Sequence, residues 1–221
     1  MKPKVIMHTQ VSLDGCIKGF DDTGIYYLIA NRFNADMVLF GSETVLQAPA
    51  PTEPETEKAF CKPEFQPGDQ RAYWVIPDSR GRVRNMHIYR DSQYCRDIIF
   101  LVSESTPKSY LEYLEKRQYD YILAGKDHVD YASALKVLYD KFDCRIIRTD
   151  SGGILTNRLL EQGIVDEICL VVSPCLIGAN FPRVFRDLSL KGRVDLELVN
   201  NEIVDDNYLF LTYKVKKGNT K

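Results

Sequence analysis

Short apolar runs bounded by turn residues alternate along this chain with segments whose apolar positions recur at helical spacing. Residues 4–10 read as a first, central strand that runs on through Val11, Ser12 and Leu13 to Asp14-Gly15. Ile25, Leu28, Ile29 and Phe33 are spaced to share one face of a helix over 24–33, with Asp22 or Thr23 as its cap. The runs 35–40, 72–77 and 97–102 read as buried strands. Residues 109–118 form an amphipathic helix, 119–125 a strand and 129–142 a further helix. The β-branched run 144–148 is the next strand, and Leu159-Leu160 belong to a helix ending at a glycine cap, Gly163. Strands then follow at 166–173, 194–204 and 208–215, the last two joined by Asp205-Asp206-Asn207 as a hairpin. Strands alternating with helices predict a three-layer α/β fold. Its central sheet is mostly parallel, with helices on both faces and right-handed crossovers, and it closes on an antiparallel C-terminal hairpin.

Residues 47–70 break this rhythm. Prolines at 49, 51, 54, 63 and 67 block regular ladders, so the segment reads as an exposed loop excursion with a short helix near 55–60. The sheet pattern resumes at Ala72, which predicts a single domain over 1–221, ending in a frayed basic tail at 216–221. At 221 residues the chain is long enough to bury a substantial core. A formal charge of −2 offers no electrostatic case for a nucleic-acid or anionic-membrane partner. No apolar run reaches the length of a membrane span, and no secretory signal precedes the first strand, which predicts a cytoplasmic protein. The six cysteines form no CxxC pair and read as reduced thiols, Cys144 and Cys169 among them as small core residues. His8, His87 and His128 lack ligand spacing, so no metal site is expected.

The chemistry concentrates at turns. Arg148-Thr149-Asp150-Ser151-Gly152-Gly153-Ile154-Leu155-Thr156-Asn157 gives strand, glycine turn and helix. Two missing Cβ atoms allow close approach to the backbone, and a helix start offers unpaired N–H groups to an anion such as a pyrophosphate. Equally, the glycines could serve only the turn, with Asp150 or Ser151 as a helix cap. A second such junction follows the strand at 35–40, at Gly41-Ser42-Glu43-Thr44. Asp14 beside Gly15 is either a carboxylate in a cleft or a turn residue, and residue type alone favours the turn.

The Asp-Ser-Gly-Gly turn, the Gly163-Ile164-Val165-Asp166-Glu167 run and Pro174-Cys175-Leu176-Ile177-Gly178 together resemble the reductase domain of riboflavin-biosynthesis deaminase–reductases. This RibD C-terminal family has a dihydrofolate-reductase-like fold. The resemblance spans residues 4–215, and its specific residues lie at three turns. It implies NADPH as cofactor, with NADH as the alternative. The cofactor would be held by Val11, Gly41, Thr44, Gly152, Gly153, Ile154, Leu155, Thr156 and Asn157. Ser103, after the strand at 97–102, stands where such folds take the 2′-phosphate, although a capping role fits it equally. Ser12-Leu13-Asp14-Gly15 matches the family's cleft segment, which puts Asp14 near the reacting atoms as the candidate catalytic residue.

On the substrate side the chain departs from that pattern. Ser151 replaces the usual Glu, Cys16 replaces the usual Lys, and the Asp-Asp-Pro segment expected soon after Thr44 is missing. The resemblance therefore implies a reductase delivering hydride to a carbonyl or imine carbon of a small polar heterocycle, akin to 5-amino-6-(5-phosphoribosylamino)uracil reductase. It also implies a homodimer. A non-catalytic nucleotide-binding or regulatory module on the same fold is the alternative reading. No deaminase His-x-Glu…Pro-Cys-x-x-Cys signature and no nucleophile triad is present.

Overall fold

The computed structural model describes residues 1–49, 53–66 and 68–217. Parts of the proline-rich excursion (50–52 and 67) and of the proposed tail (218–221) lie outside the described residues. In chain order the elements are β1 (Lys4–Ser12), α1 (Gly24–Ala30), β2 (Met37–Leu39), α2 (Ser42–Leu46), β3 (Ala72–Pro77), α3 (His87–Arg90), β4 (Cys95–Val102), α4 (Lys108–Lys116), β5 (Asp120–Leu123), α5 (Tyr131–Phe142), β6 (Ile146–Asp150), α6 (Gly153–Glu161), β7 (Glu167–Ser173), β8 (Leu196–Val204) and β9 (Tyr208–Val215). Short 3₁₀ turns cover Asn31–Phe33 and Glu57–Phe60. The chain divides into two compact units.

The first unit comprises Met1–Pro3 and Asp36–Arg145. Its strands are parallel in the order β5-β4-β3-β2. All eight β4 residues except Arg96 are buried, as a strand flanked on both sides requires. Ile98, Phe100 and Val102 pack with Ile76, Met86, Tyr110 and Leu114 into one core. Helix α5 begins later than its apolar pattern suggests, because Asp130 caps it by accepting from the Ala132 and Ser133 amides at 3.0 and 3.3 Å. The proline-rich excursion is fastened rather than free. Glu55 pairs with Arg117, Lys62 reaches Asp120 at 2.7 Å, and the Glu53 carbonyl meets His87 Nε2 at 2.9 Å. Arg117 in turn lies 3.6 Å over the Tyr113 ring and 4.9 Å over Phe60.

Beneath this surface Arg90 and Asp97 form an almost fully buried ion pair at 2.7 Å. Arg90 also donates to the carbonyls of Arg117 and Gln118 and stacks 4.3 Å over Tyr119. Between β5 and α5 the backbone turns at Gly125, with φ +90°, where a Cβ would fall 2.2 Å from the His128 carbonyl oxygen. Gly125→Ala therefore requires the turn itself to move. We expect it to lower unfolding free energy by about 2–3 kcal/mol, read by urea denaturation; a change below the scatter of surface substitutions would show that the turn relaxes freely.

The second unit comprises Lys4–Ala35 and Ile146–Lys221. Its strand order is β6-β1-β7-β9-β8, with β1 parallel to β6 and β7, and β9 antiparallel to β7 and β8. Strand β1 is buried at every position but Lys4, which its neighbours on both sides explain. The hairpin turn has φ of 50° at Asp205 and 59° at Asp206, the two left-handed positions of a type I′ connection. Ile25 and Ile29 of α1 pack on Ile6, Val171, Val204 and Phe210, with Phe33 against them. Leu28 departs from the predicted shared face and is 51% exposed: at about 100° per residue it lies on the other flank of Ile25 from Ile29, outside the stripe that the core covers. Strand β6 also differs from the sequence reading. It continues past Arg148 to Asp150, and α6 starts as early as Gly153.

Candidate active site

Only Ser151 and Gly152 separate β6 from α6. Gly152 sits at the N-cap with extended backbone, and no side chain caps the helix. The first amides of this nine-residue helix are thus left for a ligand or water. Thr156 turns its hydroxyl back to the carbonyls of Ser151 and Gly152 at 3.4 and 3.3 Å, which stiffens the corner. Leu155, Thr156 and Asn157 are buried, whereas Ile154 is 64% exposed. Among the described residues, Asn157 Oδ1 and Thr149 Oγ1 are buried without a hydrogen-bond partner, a costly state that a bound polar group would relieve. The two glycines also serve the chain's own packing. A Cβ on Gly153 would meet the Val184 carbonyl at 3.0 Å, and one on Gly152 would meet Ile17 Cδ1 at 3.1 Å.

Beside this corner, Arg148 and Asp150 project from the same face of β6, two residues apart. Arg148 Nη1 donates to Asp150 at 3.3 Å and to the Tyr26 hydroxyl at 3.1 Å. Desolvation, and then the charge of the Asp150 carboxylate, hold the Tyr26 phenol well above its ordinary pKa. His8, the β1 partner of Asp150, stacks on Tyr26 at 4.5 Å and meets the Tyr26 carbonyl through Nε2 at 3.2 Å. Burial pushes the His8 imidazole down to about 3, and the Arg148 charge adds to that.

Asp14 lies in the turn after β1 and ties it to a distant loop. Its carboxylate accepts from Ser12 Oγ at 2.7 Å and from the amides of Ile177 and Gly178 at 3.1 and 2.9 Å. The Ser12 hydroxyl, then those amides, and the Cys16 thiol hold it well below the ordinary carboxylate value. Arg183 Nη2 stands 3.7 Å away. Cys16 is fully buried, with its thiol 3.5 Å from Asp14 and 3.4 Å from the Gly178 carbonyl. Asp14 is thus a staple that joins the turn after β1 to the 177–178 loop. Val11 is buried near the end of β1, where Val172 of β7 opposes it.

In the first unit, Gly41 is buried at the N-cap of α2 with extended backbone and no side-chain cap, while Thr44 is exposed on the helix. Ser103 is buried after β4. Its amide donates to Thr106 Oγ1 at 3.0 Å, and its hydroxyl meets that of Ser105 at the same distance. Ser105 and Thr106 do not cap α4, whose N-cap is Pro107. They bond the Asp127 and Ser79 carbonyls and bind neighbouring loops together.

Sequence reasoning passes over Tyr26, Arg148 and Arg183, and weighs Asp150 only as a cap. The signal for two of them is legible: a strand that buries an arginine must supply its counter-charge, and the position two residues on shares its face. Nothing in the sequence links residue 26 or 183 to these positions.

Parallel strands joined through helices and finished by an antiparallel hairpin, with an uncapped glycine junction at a strand's carboxyl end, define an α/β protein of the dihydrofolate-reductase-like class. Within that class the chain belongs to the RibD C-terminal domain family, whose profile matches residues 3–210. A 2,5-diamino-6-ribosylamino-4(3H)-pyrimidinone 5′-phosphate reductase of Methanothermobacter thermautotrophicus is 25% identical over 229 residues, covering 98% of this chain and 100% of its own. The like-named Aquifex aeolicus protein is 23% identical over 189 residues, covering 80% of this chain and 79% of its own. Among solved structures, the riboflavin biosynthesis reductase of Saccharomyces cerevisiae superposes with a TM-score of 0.68 at 17% identity, over 97% of this chain and 90% of that one. Acinetobacter baumannii RibD gives 0.70 at 16% identity over 97% of this chain, which spans 58% of that protein's length.

Proposed function

We propose that this chain is an NADPH-dependent reductase that transfers hydride to a carbonyl or imine carbon of a ribosylaminopyrimidine phosphate. The observation that carries the reading is the uncapped start of α6 at Gly152-Gly153, flanked by the partnerless polar atoms of Thr149 and Asn157, in a chain of this family. These groups fit a phosphate-bearing cofactor, which when bound supplies the hydride. In the proposal the residues from Gly152 to Asn157 and Val11 are cofactor-binding, as are Gly41, Thr44 and Ser103 of the first unit. Ser151 and Cys16 belong to the substrate side. NADH is the competing cofactor. The exposed Leu196, Leu198, Val199 and Ile203 on edge strand β8 support the homodimer that the family resemblance implies. Among the described residues, no helix is long and apolar enough to cross a membrane.

Fluorescence titration with NADPH and NADH, followed by cofactor oxidation with ribosylaminopyrimidine phosphates, tests the reading. Saturable NADPH binding with turnover is expected. Binding without turnover on any such compound would favour the non-catalytic module, and absence of binding would end the proposal.

Asp14 takes a positioning role beside the reacting atoms. Held as a carboxylate by four donors, it is poorly suited to give up a proton, so an ordered water is assigned that task. Ile177 and Gly178 donate to different oxygens of Asp14, so Asp14→Asn sets an amide N–H against one of these two donors. Turnover is expected to fall about 10- to 100-fold with NADPH affinity little changed; unchanged turnover would remove Asp14 from the mechanism. Its folded pKa is depressed, so its contribution to holding the 177–178 loop is complete above the ordinary value of 3.8. That contribution is lost only as pH falls through the lower folded value.

A further inference from the structure

A helix start that must stay open to an anion has a competitor in its own chain. Asp150 ends β6 two residues before Gly152, the N-cap of α6. Aspartate is among the side chains that best satisfy the first amides of a helix, and the positive end of the helix dipole draws a carboxylate in. Elsewhere in this protein that happens: Asp130, at the start of α5, accepts from the Ala132 and Ser133 amides at 3.0 and 3.3 Å. At α6 no side chain caps the helix. Even without capping, a bare carboxylate so close in the chain would oppose a phosphate bound there.

Arg148 removes both difficulties. It lies on the same face of β6 as Asp150, and its Nη1 stands 3.3 Å from Asp150 Oδ2 and 3.1 Å from the Tyr26 hydroxyl. The arginine has little freedom to leave. Its side chain is 10% exposed, its strand is paired through Ile6 and His8 of β1, and His8 stacks on the Tyr26 ring at 4.5 Å. Stability does not account for the pair, because taking two charges out of water costs about as much as their attraction returns. At 3.3 Å it is also longer than a charge-assisted hydrogen bond of ordinary strength. What the arginine does supply is a direction and a countercharge for Asp150. The start of α6 is open from within as well. Asn157 is 4% exposed, its Nδ2 lies 3.7 Å from the point a Gly153 Cβ would occupy, and among the described residues its Oδ1 has no partner. A buried amide group thus reaches the first turn with an acceptor unsatisfied.

Resting on the reductase reading, we propose that Arg148 is a positioning residue: steadied by Tyr26, it turns the Asp150 carboxylate away from the start of α6 and cancels its charge, so the helix amides stay available to a phosphate of the dinucleotide. It acts through Asp150 rather than on the reacting atoms. The aspartate that residue type marks as a helix cap is thereby kept from capping.

The test reads NADPH affinity by fluorescence titration at low and at high salt, with turnover on ribosylaminopyrimidine 5′-phosphates measured apart. R148M is expected to weaken NADPH binding about 10- to 100-fold at low salt, since an uncompensated charge near the site acts through a medium less screening than water. The loss should shrink as salt rises, and kcat at saturating NADPH should stay near the wild-type value. D150N alone should bind NADPH at least as well as wild type. The double variant R148M/D150N removes the charge that R148M exposes, so it should return to within about threefold of wild type. A residue that merely holds the fold together predicts the opposite, an R148M defect that D150N leaves in place or deepens, and that result overturns the proposal. Unchanged NADPH affinity in folded R148M, or a loss indifferent to salt, overturns it too. If R148M does not fold, R148Q keeps a donor for Asp150 without the charge, and the same salt-dependent loss and the same rescue by D150N are expected of it. Binding without turnover by the wild type would sink the reductase reading and leave this assignment standing, because it is read from affinity alone. No NADPH binding by the wild type removes both.

Discussion

Arg90→Met is expected to be the most damaging single change in the first unit. The substitution keeps the bulk of the side chain but strands Asp97, which is 1% exposed and already has its carboxyl pKa raised by burial in spite of the arginine beside it. Removing one partner of a buried pair costs about 3–5 kcal/mol, because the remaining charge keeps its desolvation penalty and loses its compensation. Here the Arg117 and Gln118 carbonyls would also lose their donor. The double replacement Arg90→Met with Asp97→Leu should recover most of the loss, since no charge is then left in the core. Urea unfolding of both variants checks this. A double variant as unstable as the single one would show that the carbonyl contacts, and not the charge, dominate.

Acid should weaken the second unit through His8. Its folded pKa, about 3, lies below the ordinary value of 6.5, so the neutral imidazole is the folded form. A depressed folded value means that stability is complete above the unfolded pKa and declines as pH falls from 6.5 towards 3, because only the unfolded chain takes up the proton. The full loss over that window is on the order of 5 kcal/mol, since a tenfold difference in proton affinity between folded and unfolded chain is worth about 1.4 kcal/mol. Burial outweighs the Tyr26 carbonyl that faces Nε2, and the nearby Arg148 guanidinium opposes the imidazolium further. His8→Phe should flatten the pH dependence of unfolding between those limits while Asp14 continues to hold its loop. An equally steep decline in the variant would place the acid sensitivity elsewhere.

Much of the architecture can be read from residue order. Strand β3 falls where the 72–77 run ends in proline, and the Asp205-Asp206 hairpin follows from residues that tolerate left-handed backbone. Legibility fails where tertiary contacts override local preference. The apolar spacing that groups Leu28 with Ile25 and Ile29 says nothing of how wide a stripe the facing elements cover, and here the cover stops short of Leu28. Strand β6 reads as ending at Arg148 because Thr149 and Asp150 look like turn residues. Pairing with Met7 and His8 of β1 keeps both extended. The proline-rich excursion looks loose because proline denies it a ladder, yet ion pairs to Arg117 and Asp120, spaced more than fifty residues away, are invisible to any local pattern. At the site, the glycine corners and Asp14 announce themselves by residue type. The Tyr26–Arg148–Asp150 triangle does not, because it is assembled from two segments over a hundred residues apart.

The close approach at Gly152 and Gly153 sets terms for anyone redesigning this protein. Ile17 presses on the first glycine and the Val184 carbonyl on the second, so the two positions are limited by different neighbours. Engineering the corner is therefore two separate problems: trimming residue 17 creates room for a methyl group at 152, whereas 153 stays closed until the backbone near 184 is re-routed.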